Sequence, residues 1–296
     1  MDPLIVVFGF GVGVLVGTTG IGGGSLMTPI LILIFGFKPV TAVGTDLAYG
    51  AVTKTVGGWR HLRNKTVDMK LSAWIAIGSV PAAIGGVVVL HIAEKAWGKS
   101  FDDGLLIAVA GALLLTGFVM LARLLFPNGD RREVESSPLN PRHKITAVAL
   151  GASVGFVLGV TSAGSGSLIA VGLIMAFKLT PRRVVGTDVF HAAVLLWAAA
   201  IAHIIAGNVD YALAGTILLG SIPGVWVGAG LTMRLPVGVM RATLAIVLLA
   251  AGLALLEKAN VGLAPTAVIG VPVVIAAIAW LLSSFRGRPS AVAVKA

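Results

Sequence analysis

The stretch Thr18-Thr19-Gly20-Ile21-Gly22-Gly23-Gly24-Ser25-Leu26 returns 142 residues later as Val160-Thr161-Ser162-Ala163-Gly164-Ser165-Gly166-Ser167-Leu168. Working outward, Gly44-Thr45-Asp46 returns as Gly186-Thr187-Asp188. His61, Asp68 and Gly78-Ser79 with Pro81 return as His203, Asp210 and Gly220-Ser221 with Pro223. The offset never changes, and 25 of the 70 positions from 17 to 86 are identical to their counterparts from 159 to 228. Shared apolar composition explains a repeated Leu or Val, but not a repeated Gly-Thr-Asp at fixed register. The chain therefore reads as two related halves.

Both halves are strongly apolar. Of 296 residues, 57% are hydrophobic and 11% charged, and the mean hydropathy is +1.00. A soluble domain carries about 25% charged residues. The runs 71–91, 104–126, 183–206, 211–232, 239–257 and 264–284 reach the ~20 residues that span hydrocarbon. Continuous runs of this kind exclude a transmembrane barrel, whose segments are short and alternating. The longest polar stretch, about 127–144, leaves no room for a soluble domain. The expected organisation is an N-terminal transmembrane repeat over 1–126, a cytoplasmic linker over 127–143 and a C-terminal repeat over 144–296. The absence of cysteine excludes disulfides and thiol chemistry. Met1-Asp2-Pro3 lacks the basic region of a secretory signal, so the first apolar segment reads as a retained membrane element. The net charge of +10 belongs to short topology-fixing loops and does not imply a nucleic-acid partner.

The basic residues also set the sidedness. Arg60, Arg63, Lys65 and Lys70, the linker's arginines, the loop 178–183 with Lys178, Arg182 and Arg183, and the tail all fall on the cytoplasmic side by the positive-inside rule. Equivalent loops carry opposite bias: 59–70 is strongly basic, whereas its counterpart 201–212 has no Lys or Arg. That alternation predicts halves that cross the membrane in opposite directions. The predicted fold class is thus an all-α polytopic membrane protein of two inverted-topology repeats. Each repeat has a Gly-rich broken-helix hairpin plus three or four spanning helices. The hairpins are 4–36 and 144–178, with arms of about 14–16 residues, or ~21–24 Å of helix. Seven full spans follow, with the N-terminus outside and the C-terminus cytoplasmic. Two short crossings per hairpin would give the same sidedness.

Gly-rich backbone at membrane depth survives only when buried in protein or lining a wet cavity. A helix leaving such a tip points free N–H groups and its positive end back at it. Two facing tips would therefore bind an anion, with backbone N–H groups and the hydroxyls of Thr19, Ser25, Thr161 and Ser167 as donors. The candidate binding residues are Thr19, Gly22, Gly23, Gly24, Ser25 and Thr45 in one half, and Thr161, Gly164, Ser165, Gly166, Ser167 and Thr187 in the other. Close helix packing is the bland reading of the glycines. Asp46 and Asp188 are candidates for substrate work, helix capping or proton coupling. Lys54, one turn from the end of its apolar run, is expected to snorkel. Pro81 and Pro223 are expected to kink or break their spans. His61, His191 and His203 read as structural, and no metal-ligand spacing is present. No catalytic residue, cofactor or nucleotide-binding motif is identified.

The segment TTGIGGGSL, its second copy TSAGSGSL and the two GTD motifs resemble the sulfite exporter TauE/SafE family over residues 4–284. The resemblance implies a bacterial inner-membrane carrier of small sulfur-containing anions such as sulfite, sulfonates or thiosulfate, with the tips and GTD motifs as its site residues. The second tip has Ala163 and Ser165 where the first has Ile21 and Gly23, so a site between them is only approximately symmetric. The expected activity is secondary export of such an anion by alternating access at the midplane. A passive anion channel and a proton-coupled importer are the alternatives. The expected partners are a small anion, the lipid bilayer and, as a candidate coupled ion, the proton; oligomeric state is open.

Overall fold

The structure, a computed structural model, describes residues 3–19, 24–125, 134–136, 139–231 and 237–262, with positions 266, 270, 272 and 274. The described residues form helices α1 (Pro3–Thr19), α2 (Gly24–Leu33), α3 (Pro39–Arg63), α4 (Met69–Trp97) and α5 (Lys99–Leu125) in the first half. The second half holds α6 (Pro141–Thr161), α7 (Ser165–Met175), α8 (Pro181–Ile205), α9 (Tyr211–Leu231) and α10 (Val237–Lys258). Prolines open α3, α6 and α8, where a missing N–H costs nothing. Among the described residues, five helices are long and apolar enough to cross a membrane: α4, α5, α6, α8 and α9. The expected span 264–284 lies outside the described residues except for its scattered positions.

The hairpins are less even than the sequence implied. Their first arms, α1 and α6, have 17 and 21 residues; their second arms, α2 and α7, have 10 and 11. At 1.5 Å per residue α2 and α7 are only about 15–17 Å long, about half a hydrocarbon core. The arms differ because α1 and α6 run helical up to the tips. The second arms must end early, at Gly36 (φ 68°) and Lys178 (φ 53°). Pro81 and Pro223 do not break their helices: α4 and α9 run through them.

Helix packing exchanges the two halves. α1 lies on α9 and α4 on α6, while α3 packs on α8 and α5 on α10. Gly9 and Gly13 of α1 lie against Ile217 and Ser221 of α9. Their counterparts Gly151 and Gly155 of α6 lie against Ile75 and Ser79 of α4. Residue numbers rise together in both pairs, so these helices run parallel. A Cβ at Gly155 would collide with the Ser79 carbonyl, the close small-residue packing that apolar surroundings favour. α3 and α8 run the other way, with Gly50 on Leu196 and Gly57 on Val189. α5 and α10 do likewise, with Gly117 on Leu249 and Gly252 on Leu114. Each helix of these two pairs thus packs antiparallel on its own counterpart. Trp197 Nε1 donates to Thr55 Oγ1 at 2.8 Å, a bond between two positions 142 apart.

Large apolar side chains cover the outside, among them Ile205 (82% exposed) and Trp226 (83%). That surface needs lipid around it. Trp59 and Trp97 are exposed near the ends of α3 and α4, where interfacial tryptophans belong. Residues 134–136 of the linker are pinned to both halves. Val134 pairs with the backbone of Lys178 and Thr180. Glu135 accepts from Arg183 Nε at 3.0 Å, Ser136 donates to Asp68 Oδ2 at 2.9 Å, and Arg183 Nη1 reaches the Val67 carbonyl at 2.9 Å.

Candidate functional site

The second hairpin tip meets the start of α2. The backbone N–H of Gly164, in the second tip, points at Ser25 Oγ, one residue into α2, at 3.4 Å. Gly164 adopts φ 93° and Ser162 φ 62°, the left-handed turn that ends α6 and reverses the chain into α7. The first N–H groups of α7, on Ser165, Gly166 and Ser167, have no carbonyl partner within their helix. They leave the positive end of α7 at the junction. Lys258 Nζ, from α10, donates to Ile32 O at 2.7 Å and so ties down the other end of short α2.

Hydroxyls crowd the second tip. Thr161 Oγ1 donates to Val157 O at 2.7 Å and accepts from Ala163 N at 3.2 Å, so it stabilises the turn. Ser167 Oγ is buried and has no hydrogen-bond partner. Neither has Thr116 Oγ1 on α5, which is 0% exposed and would lie 3.3 Å from a Cβ at Gly164. An unmet buried hydroxyl costs on the order of 1–3 kcal/mol. Two of them beside a helix N-terminus form a donor set without an acceptor. The side chain of Ser165 and the residues Gly22 and Gly23 lie outside the described residues, as does the side chain of Thr19; Gly24 opens α2. The first tip's part in the site therefore rests on Ser25 and its neighbours.

The Gly-Thr-Asp motifs divide into three jobs. A Cβ at Gly44 would strike the Asn208 carbonyl, and one at Gly186 the Thr66 carbonyl, each at 2.5 Å. The glycines admit the opposite half's loop. Thr45 Oγ1 then accepts from Asp210 N at 3.0 Å, and Thr187 Oγ1 from Asp68 N at 2.9 Å. These aspartates N-cap the next helices: Asp68 Oδ1 takes Leu71 N at 3.1 Å and Asp210 Oδ1 takes Leu213 N at 2.9 Å. Thr45 and Thr187 are thus latches between the halves, with their hydroxyl oxygens turned to these loops instead of to the tips.

Asp46 and Asp188 do not cap helices. Both sit two turns inside, at the eighth residue of α3 and of α8. Asp46 is 0% exposed and its Oδ2 accepts from Thr28 Oγ1 at 2.5 Å and Ser162 Oγ at 2.7 Å, while Oδ1 has no partner. Asp188, 5% exposed, also has an unpartnered Oδ1. The residues equivalent to Thr28 and Ser162 are Ala170 and Gly20, so this half lacks the two hydroxyls. The charges of Lys54 and Arg123 act on Asp188 instead. Lys54 does not snorkel: it is 7% exposed, buried in the body of the protein.

The histidines serve packing and loop geometry. His203 Nε2 lies 3.0 Å from Gly159 O and its Nδ1 3.3 Å from Asn208 Nδ2. His61 Nδ1 lies 3.0 Å from Thr66 Oγ1, the equivalent contact in the other half. His191 Nε2 lies 3.2 Å from Ser79 Oγ. No cluster of three or more His, Asp or Glu that could hold a metal occurs among the described residues. The sequence reading missed Thr28, Ser162 and Thr116 as partners of the site. Ser162 stands inside the quoted tip, but Thr28 and Thr116 look like ordinary helix threonines and gave no signal.

The family model for sulfite exporter TauE/SafE matches residues 5–255. The probable membrane transporter protein YjnA of Bacillus subtilis is 38% identical over 257 residues, covering 86% of this chain and all of that one. YdhB of the same organism, also named a probable membrane transporter protein, is 32% identical over 253 residues, 86% of this chain and 99% of its own. A probable membrane transporter protein of Methanocaldococcus jannaschii is 29% identical over 193 residues, 63% of this chain and 66% of its own. No solved structure matches. With ten described helices, a coverage that spans both halves and relatives named as transporters, the chain is a multi-pass membrane transporter of the sulfite exporter TauE/SafE family.

Proposed function

We propose that the protein carries a small sulfur-containing anion across the inner membrane, as a secondary exporter, at a site between the two hairpin tips. The observation that carries this reading is the contact of Gly164 N with Ser25 Oγ beside the unpartnered hydroxyls of Thr116 and Ser167. Hydroxyl and N–H donors converge there from both halves, as an oxyanion requires. The halves are inverted repeats in this account, with the N-terminus outside and the C-terminus cytoplasmic. The antiparallel packing of α3 on α8 and of α5 on α10 supports an exchange axis lying in the membrane plane. Rocking one half on the other would open the tips to each side in turn. Leaving a negative-inside cell is favourable for an anion by about 2.3 kcal/mol per charge per 100 mV, which supports export. The choice of sulfite, thiosulfate or an organosulfonate rests on the family's description.

The test is counterflow in proteoliposomes. Vesicles preloaded with unlabelled sulfite, thiosulfate or sulfoacetate should transiently accumulate the labelled anion, with saturable rates. Linear, non-saturating flux without counterflow would establish a passive channel instead. Saturable counterflow of carboxylates alone would keep the carrier and reject the sulfur assignment.

A further inference from the structure

We propose that Asp46 is a proton-binding site whose occupancy is tied to that of the anion, so that each anion moves with one proton. The proposal rests on the tip junction being an anion site, and it deepens that reading by naming a second bound species.

The geometry is specific to one half. Asp46 is fully buried and its Oδ2 takes both Thr28 Oγ–H and Ser162 Oγ–H. Ser162 is part of the second tip, two residues before the Gly164 N–H that faces Ser25. Ionised Asp46 therefore places negative charge beside the anion's position and draws a tip hydroxyl proton away from it. Its Oδ1 is buried without a partner, so a proton can be added there with no bond broken. Protonation removes the like charge and turns an unpartnered acceptor into a donor. An anion and a proton then favour one another, by reciprocal linkage. The proton comes from water on the side to which the site is open, forms the Oδ1–H bond, and returns to water on the other side as the anion leaves.

Asp188 is not equivalent. Ala170 and Gly20 are the sequence counterparts of Thr28 and Ser162, and the charges of Lys54 and Arg123 act on Asp188. The buried titratable groups on α3 and α8 are Tyr49, Lys54, Asp188, His191 and His203, and none of them bonds Asp46. Half-buried Asp210 caps α9. Helices α2 and α5, also packed on α3, bring no buried charge.

The experiment uses purified full-length protein and thiosulfate, which stays a dianion across the neutral range. Binding is followed by calorimetry at several pH values, and proton uptake by an indicator dye in weak buffer. At pH values alkaline enough for Asp46 to be ionised before the anion binds, the wild type should take up as much as one proton per thiosulfate, with affinity there rising by up to about tenfold for each pH unit lowered, the slope of one linked proton. Asp46→Asn should lose both the uptake and the slope, and Asp46→Glu should recover them. Thiosulfate binding by the wild type with no proton uptake at any pH in the series, alkaline values included, overturns the proposal, whether or not any variant folds. Uptake that persists in Asp46→Asn overturns it as well. Failure of the wild type to bind thiosulfate, sulfite or sulfoacetate at all rejects the anion-site reading beneath it.

Discussion

Replacing Thr187 with Val tests whether the Gly-Thr-Asp threonines hold the halves together or touch the substrate. Val keeps the shape of Thr and removes only the hydroxyl. The Thr187 side chain is 0% exposed, and its Oγ1 accepts from Asp68 N at 2.9 Å, with Asp68 itself 5% exposed. The substitution strands a buried N–H at the head of α4. Such an unmet donor costs on the order of 1–3 kcal/mol, and bonds between membrane helices have been worth about 0.6–1.7 kcal/mol. A loss of about 1–2 kcal/mol is therefore expected. At roughly 2–4 °C per kcal/mol, the Tm of the detergent-purified protein should fall by about 2–8 °C. Thr187→Ser should restore most of it. Anion affinity, read by calorimetry, should stay within a few-fold of wild type, because the hydroxyl oxygen faces the α3–α4 loop. An unchanged Tm with abolished binding would refute the latch and return Thr187 to the substrate.

Gly155→Val should prevent assembly of a stable protein, because a Cβ there meets the Ser79 carbonyl, whereas Gly85→Val, with nothing within 4 Å of its Cβ, should be tolerated; size-exclusion profiles and Tm separate the two. Thr116→Val should leave Tm unchanged or raised, since it deletes a buried unpartnered hydroxyl, yet weaken anion binding by about tenfold, the ~1.4 kcal/mol of one lost hydrogen bond. A reporter fused after Lys65 should read cytoplasmic and one at Asn208 external; the same side for both would contradict inverted halves.

Much of this architecture was legible because the repeat is long, gapless and rich in residues with narrow uses. Glycine at a helix crossing or turn cannot be exchanged cheaply, so Gly78, Gly164 and Gly186 keep their places. Their register marks two related stretches of sequence, each with a Gly-rich segment ahead of a Gly-Thr-Asp motif. Individual side-chain roles were less legible. Thr45 and Thr187 sit next to aspartates that face the interior, but a helix turns 100° per residue, and that rotation sends each threonine to a loop of the other half. The partners of Asp46 come from α2 and from the second tip, 18 and 116 residues away, and no local pattern links them. Capping of α3 and α8 by Asp46 and Asp188 failed because both helices start earlier, at prolines whose fixed φ suits a first turn. Lys54 reads as a snorkelling residue by position, yet it is buried, and its charge acts on an aspartate of the other half. Single-sequence hydropathy cannot register that interaction.

Cysteine protection tests most directly whether the anion sits at the tip junction. The chain contains no cysteine, so Ser167→Cys, and separately Asn64→Cys at the exposed end of α3, each introduces a lone thiol. Maleimide labelling of the protein in membranes is then timed with and without saturating sulfoacetate. The account predicts that sulfoacetate slows labelling at position 167 in a saturable way and leaves position 64 unaffected. Equal labelling at 167 with and without sulfoacetate, in protein that demonstrably binds it, would place the anion elsewhere and contradict the account.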